Sequence, residues 1–184
     1  GLLESPRPLG DAGAGVHDAL PGGATPLFMA CQEGHLECVR LLLEAGAAIS
    51  QARDNGATPL FMACQQGHLE CARLLRDAGA DINQATTDGT TPLFMACQEG
   101  HLDAARLPVE AGAALTAMLD ARLEAESQST LLYIAAWWGQ ADAVRLLIES
   151  GASVGATTGR GSTALVIACR AGQPECGRVL LGAA

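Results

Sequence analysis

Lysine is missing from this 184-residue chain: all eleven basic residues are arginine. The segment therefore offers no side-chain amine for acylation or ubiquitin attachment. The arginines are outnumbered by twenty Asp and Glu, leaving a formal net charge of −9. An acidic surface repels phosphate backbones, so nucleic acid and anionic membrane are poor partners. Long apolar runs are missing as well. Leu131 to Gly139 is among the longest, and it falls far short of the roughly 20 residues that a transmembrane helix needs. The opening GLLESPRPLG lacks the basic start and apolar core of a secretory signal. No methionine begins the chain, so it is read as a piece of a longer protein that is expected to carry further repeats or domains. Aromatic residues make up only 3%: three Phe, one Tyr and two Trp. Both tryptophans are adjacent, at Trp137 and Trp138.

What the chain does contain is apolar and repetitive. Hydrophobic residues form 49% and charged residues 17%, a balance that suits a packed soluble protein and not a disordered one. Three stretches are nearly identical: ATPLFMACQEGHLECVRLLLEAGA from Ala24, ATPLFMACQQGHLECARLLRDAGA from Ala57 and TTPLFMACQEGHLDAARLPVEAGA from Thr90. Two weaker copies follow from Ser129 and Ser162. Their threonines fall at 25, 58, 91, 130 and 163, a period of 33 with one interval lengthened by six residues. A fixed period of this size marks a solenoid or array. In the same register GLLESPRPLGDAGA aligns with GHLECVRLLLEAGA, so the chain is expected to open inside a degenerate half-repeat, frayed by Pro6 and Pro8.

Each copy reads as two short antiparallel helices and a turn. Thr25 is a good N-cap, with Pro26 at the first helical position. Gly34 supplies a left-handed residue that ends the first helix. Leu36, Val39, Leu42 and Leu43 follow at helical spacing, and Gly46 ends the second helix. The stretch AAISQARDNGA is polar, rich in turn formers and too short for a further helix, so a projecting hairpin-like finger is expected.

TPLF, GHLE, LLLEAGA and DNGAT, recurring in phase, resemble the ankyrin repeat family over essentially the whole chain. The resemblance implies an all-α ankyrin-repeat solenoid of stacked antiparallel helix pairs with projecting hairpin-like fingers. It reads as one domain over 1–184: a half-repeat at 1–19, then repeats at 20–52, 53–85, 86–118, 119–157 with the insertion, and 158–184. One departure is regular. The histidine of the family's TPLH is replaced by Phe28, Phe61, Phe94, Tyr133 and Val166. Apolar packing is expected to replace its hydrogen bond.

The candidate chemistry is weak throughout. Cys31, Cys64, Cys97 and Cys169 hold one slot in the first helix, and Cys38, Cys71 and Cys176 hold one in the second. An odd count and a spacing that matches no common zinc motif point to seven buried thiols, hence a reducing compartment, cytoplasmic or nuclear. His35, His68 and His101 lie one repeat apart, about 10 Å for packed helices, too far to share a metal. They are assigned local structural roles. Glu37–Arg40, Glu70–Arg73, Asp103–Arg106, Asp142–Arg145 and Glu175–Arg178 read as ion pairs on a solvated face. No phosphate loop or nucleophile elbow is present, so neither an enzyme nor a cofactor is expected. Asn83 suits a turn, and with Leu75, Asp81 and Ile82 it also resembles sites that asparaginyl hydroxylases modify in ankyrin repeats.

Trp137 and Trp138 occupy the two positions before the first-helix glycine. Other copies place Gln32-Glu33, Gln65-Gln66, Gln98-Glu99 and Arg170-Ala171 there, so the slot is expected to face water. By resemblance it lies on the concave face, beside the fingers. Large aromatics at a wet slot are what a binding hot spot looks like. Against this, the tryptophans could pack on the insertion over 113–128, which carries Leu115, Met118, Leu119 and Leu123 at helical spacing and reads as a short amphipathic helix. The recognition strip then comprises Gln32, Glu33, Gln65, Gln66, Gln98 and Glu99, Asp54 and Asp88 on the fingers, the two tryptophans, and Arg170 with Arg160. It runs from acidic through aromatic to basic. The expected function is non-catalytic binding of a protein or peptide partner. The other reading is a spacer or targeting segment in a larger enzyme, channel or ubiquitin-ligase adaptor.

Overall fold

A computed structural model describes residues 15–110 and 130–183. Its described residues form five helix pairs in sequence order. The first full repeat contains α1 (Pro26–Glu33) and α2 (Leu36–Glu44), the second α3 (Pro59–Gln65) and α4 (Leu69–Asp77), the third α5 (Pro92–Glu99) and α6 (Leu102–Glu110). The fourth contains α7 (Leu131–Trp137) and α8 (Ala141–Glu149), the fifth α9 (Ala164–Arg170) and α10 (Pro174–Gly182). First helices stack on first helices and second on second, so the chain is an all-α solenoid. Residues 1–14 of the half-repeat and the insertion over 113–128 lie outside the described residues.

One device starts every repeat. The Thr25 hydroxyl accepts a hydrogen bond from the Phe28 N–H at 3.2 Å, and Thr58, Thr91, Thr130 and Thr163 do the same for Phe61, Phe94, Tyr133 and Val166. This satisfies one of the donors that a helix start leaves without a partner. Pro26, Pro59 and Pro92 follow at the first position, where their fixed φ suits the helix.

The fingers are tight turns. Arg53 N–H bonds Ala57 O at 2.9 Å, and Thr86 N–H bonds Thr90 O at 2.9 Å. Adjacent fingers also join directly, Asp54 N–H to Gly22 O at 3.2 Å and Thr87 N–H to Asn55 O at 2.9 Å. Gly56 permits this: a Cβ there would stand 2.9 Å from Thr86 Cα.

The core is one continuous stripe through the stack, including Leu27, Leu60, Leu93, Leu131 and Leu147. Four of the five replacements pack as expected, Phe28, Phe61, Phe94 and Tyr133 being buried, whereas Val166 is exposed. α6 runs through Pro108 to Glu110, with the proline buried in the slot that Leu75 fills in α4. Among the described residues the following joint is the loosest: α7 packs on α5 more sparsely than α3 packs on either neighbour or α9 on α7.

Two expectations are corrected. Cys38 and Cys169 are exposed, while the other five cysteines are buried. Position in the stack is the reason. Cys71 and Cys176 each have a described repeat before their own, whereas among the described residues no full repeat precedes that of Cys38. Cys31, Cys64 and Cys97 each have a described repeat after their own, whereas none follows that of Cys169. His68 and His101 also reach into the previous repeat and are not confined to local roles; the His101 ring lies 2.6 Å from where a Cβ on Gly67 would be. His68 Nε2 lies 3.2 Å from Gln32 O in the previous repeat, a bond that requires the proton on Nε2. Its ring lies where a Cβ on Gly34 would be, 2.6 Å from that position. Gly34 is thus fixed twice, by its φ of 74° and by its neighbour's imidazole. Gln140 and Gln173 take over in the later repeats, donating to Gln98 O at 3.3 Å and Trp137 O at 3.4 Å.

Candidate functional site

The first helices and the fingers enclose a groove of about 670 Å³ across the second, third and fourth repeats. Cavities of about 300–1,000 Å³ are the usual size of a ligand site. Phe61, Met62, Phe94, Met95 and Ile134 supply its apolar lining. Arg53, Asn55, Thr86, Thr87 and Asp88 form the finger wall. Gln65, Gln98, Glu99, Trp137 and Trp138 line it from the ends of the first helices.

Trp137 is 39% exposed and Trp138 56%. Repeat register explains this. The stacked faces of α7 are taken by Leu131 to Ala136, all buried, and the next two positions emerge at the helix end. Tyr133 holds Trp137 edge to face, with centroids 6.2 Å apart and planes at 88°. Such a pair contributes roughly 0.5–1.5 kcal/mol beyond burial. Trp138 has the larger exposure of the two.

Of the residues expected from sequence, Gln65, Gln98, Glu99, Asp88, Trp137 and Trp138 come together in the groove. Gln32, Glu33, Gln66, Asp54, Arg160 and Arg170 are not part of its lining. The aromatic pair lies at the fourth-repeat end of this groove. Asp88 is built into its own finger: its carboxylate accepts from the hydroxyls of Thr86 and Thr90, the latter at 2.8 Å. Glu99 is exposed and accepts from Gln98 Nε2 at 2.9 Å. Asn83 lies exposed after α4, its N–H bonded to the Asp81 carboxylate at 2.9 Å.

Sequence reasoning missed the floor and one wall. Met62, Met95 and Ile134 occupy one slot in successive repeats, a periodic signal that was available in the repeated FMAC. Arg53 carries no such signal. Its guanidinium lies over the Phe28 ring, 5.4 Å from the centroid, and its Nε donates to Gly22 O at 3.3 Å.

The arrangement offers little to catalysis. Burial pushes the Cys64 and Cys97 thiols up to about 12 and raises Cys31 further; the nearby Cys97 thiol adds to the shift of Cys64, and Cys71 to that of Cys31. Cys71 and Cys176 are raised by burial first and by the charges of Glu70 and Glu175 second. Raised thiols are poor nucleophiles and poor metal ligands. Among the described residues no group of three or more His, Cys, Asp or Glu is placed to hold a metal ion. None of their helices is long and apolar enough to cross a membrane.

The family model for ankyrin repeats matches three times, over residues 7–86, 79–158 and 114–184. The chain belongs to the ankyrin-repeat family. No curated protein matches it closely. Ankyrin repeats are generally protein–protein interaction modules and typically non-catalytic. Within this ankyrin array, four of the five acid–arginine pairs expected on the outer face form: Glu37–Arg40 at 3.7 Å, Glu70–Arg73 at 3.8 Å, Asp142–Arg145 at 3.0 Å and Glu175–Arg178. All four are solvated, and exposed pairs contribute only about 0–1 kcal/mol each. These pairs place charge on the second helices, whereas the groove offers an apolar floor beside two exposed indoles.

Proposed function

We propose that the protein recognises a protein partner through the groove between its fingers and first helices, with Trp137 and Trp138 as the anchor. One observation carries this reading: the only tryptophans of the chain emerge together, exposed, at the end of a groove with an apolar floor and a polar finger wall. Interface energy concentrates in a few aromatic and arginine residues set in a well-packed centre. Trp137 is held by the repeat frame, its ring through Tyr133 and its backbone carbonyl through Gln173. Less of its freedom is lost on binding, and preorganisation raises affinity. We also assign the protein to a reducing compartment, cytoplasmic or nuclear, where its seven free thiols would persist.

The test is capture from a cell extract by the immobilised chain, with the Trp138→Ala variant run beside it and its thermal melt checked. A captured protein whose affinity falls by about tenfold or more in the variant supports the reading. A partner that binds both forms equally moves recognition elsewhere on the surface. An extract from which the chain retains nothing favours a spacer.

A further inference from the structure

The groove's charge and aromaticity together specify more than an apolar anchor. Glu99 and Trp138 hold the same slot in consecutive repeats, eight residues after Thr91 and Thr130 respectively. Stacked helices set equivalent positions on the order of 10 Å apart. Glu99 and Trp138 both line the groove and both are exposed, so neighbouring repeats offer a carboxylate and an indole to the same ligand. One side chain can engage the two together. A guanidinium binds within about 6 Å of a ring centroid and makes N–H···O bonds of about 2.7–2.9 Å to a carboxylate, satisfying both walls at once. An aliphatic side chain in the same place would strip water from Glu99 and return nothing to it.

The molecule already contains a version of this contact. Arg53 lies across Phe28 on the inner face, its cation over the ring and its Nε on a carbonyl. That interaction engages the one arginine among the described residues of the groove lining. The chain's net charge of −9 favours the approach of a basic segment.

We infer that the partner presents an arginine, its guanidinium stacked on Trp138 and paired with Glu99, with an adjacent apolar side chain on Met62, Met95 and Ile134. This rests on the groove being the recognition surface. The apolar neighbour follows from the floor, where the unbranched methionine side chains adapt to irregular shapes. Trp137, fixed by Tyr133, walls the arginine's stem.

The chain's two indole N–H resonances report directly on the site. Four peptides differing at one position, acetyl-Gly-Xaa-Leu-Gly-amide with arginine, lysine, citrulline or glutamate, are titrated into the folded chain to millimolar concentration. The arginine peptide should shift the indole resonances saturably. Citrulline, which keeps the shape without the charge, should bind about tenfold more weakly, and glutamate weaker still. Lysine, a point charge without a planar fork, should fall between them. Glu99→Arg, at an exposed position, should reverse the order of the arginine and glutamate peptides with an unchanged melt. Equal binding of arginine and citrulline, or no saturable indole shift with any peptide, overturns the inference. A captured cellular partner that needs Trp138 yet binds Glu99→Arg unchanged also overturns it, and leaves the recognition reading standing.

Discussion

Phe94 and Cys97 in the third repeat hold the slots that Val166 and Cys169 hold in the fifth. Phe94 is 5% exposed and Val166 47%; Cys97 is buried and Cys169 exposed. The local structure is the same in both places: a threonine cap starts the helix, and a left-handed glycine follows it. What differs is the neighbour. A repeat of this size cannot bury both of its faces, and each inner face is completed by the repeat stacked on it. The same slot is therefore core in one repeat and surface in another.

The largest expected contrast is kinetic. A thiol reagent should modify Cys38 and Cys169 in the native protein at the rate of an accessible cysteine. Cys31, Cys64 and Cys97 should react only through opening, slower by a factor on the order of 10³ or more. The reaction has a pH signature. Cys64 and Cys97 titrate near 12 when folded against an ordinary value of 9.0. The folded state therefore holds their protons more tightly, so stability is intact below pH 9 and declines as pH rises toward 12. Mass spectrometry of timed labelling checks both points. Rapid modification of Cys97 at neutral pH would mean that the joint after the third repeat opens readily.

Next in size is a pair of substitutions in one slot. Phe94→Ala should cost about 3–5 kcal/mol, as large-to-small changes in a filled core do. Val166→Ala should stay within about 0.5 kcal/mol, as for a surface change. Urea denaturation of the two variants measures the difference. A large cost at Val166 would show that the edge of the fifth repeat is covered in solution.

The smallest expected effect concerns the joint. Pro108 lies buried within α6, where it withholds a backbone donor from the helix ladder. An interior proline costs roughly 3 kcal/mol against an ordinary residue. Leu75 shows that leucine fits the equivalent slot with 0% exposure. Pro108→Leu should therefore raise stability by about 1–3 kcal/mol, or about 2–4 °C in Tm per kcal/mol, and sharpen the transition by tightening the loosest joint. Calorimetry decides this, and an unchanged melt would mean that the helix accommodates the ring at no net cost.

Much of the molecule was legible without coordinates because its local signals agree with one another. The recurring threonine, proline, glycine and leucine positions assign the helices and their ends. Capping and left-handed turns are local events that involve residues only a few positions apart. The wet slot of Trp137 and Trp138 was legible too, since the other repeats fill it with glutamine, glutamate or arginine. The groove was not. Its floor of Met62, Met95 and Ile134 and its wall at Arg53 join residues up to two repeats apart, and only stacking brings them together. The same holds for His68 on Gln32 and Gln173 on Trp137, where a side chain one repeat away fills the space left by a glycine. Sequence by itself determined the repeat, its helices and which positions point inward. Tertiary structure alone decided which inward positions are covered, because burial depends on the presence of a neighbouring repeat and not on the residue itself.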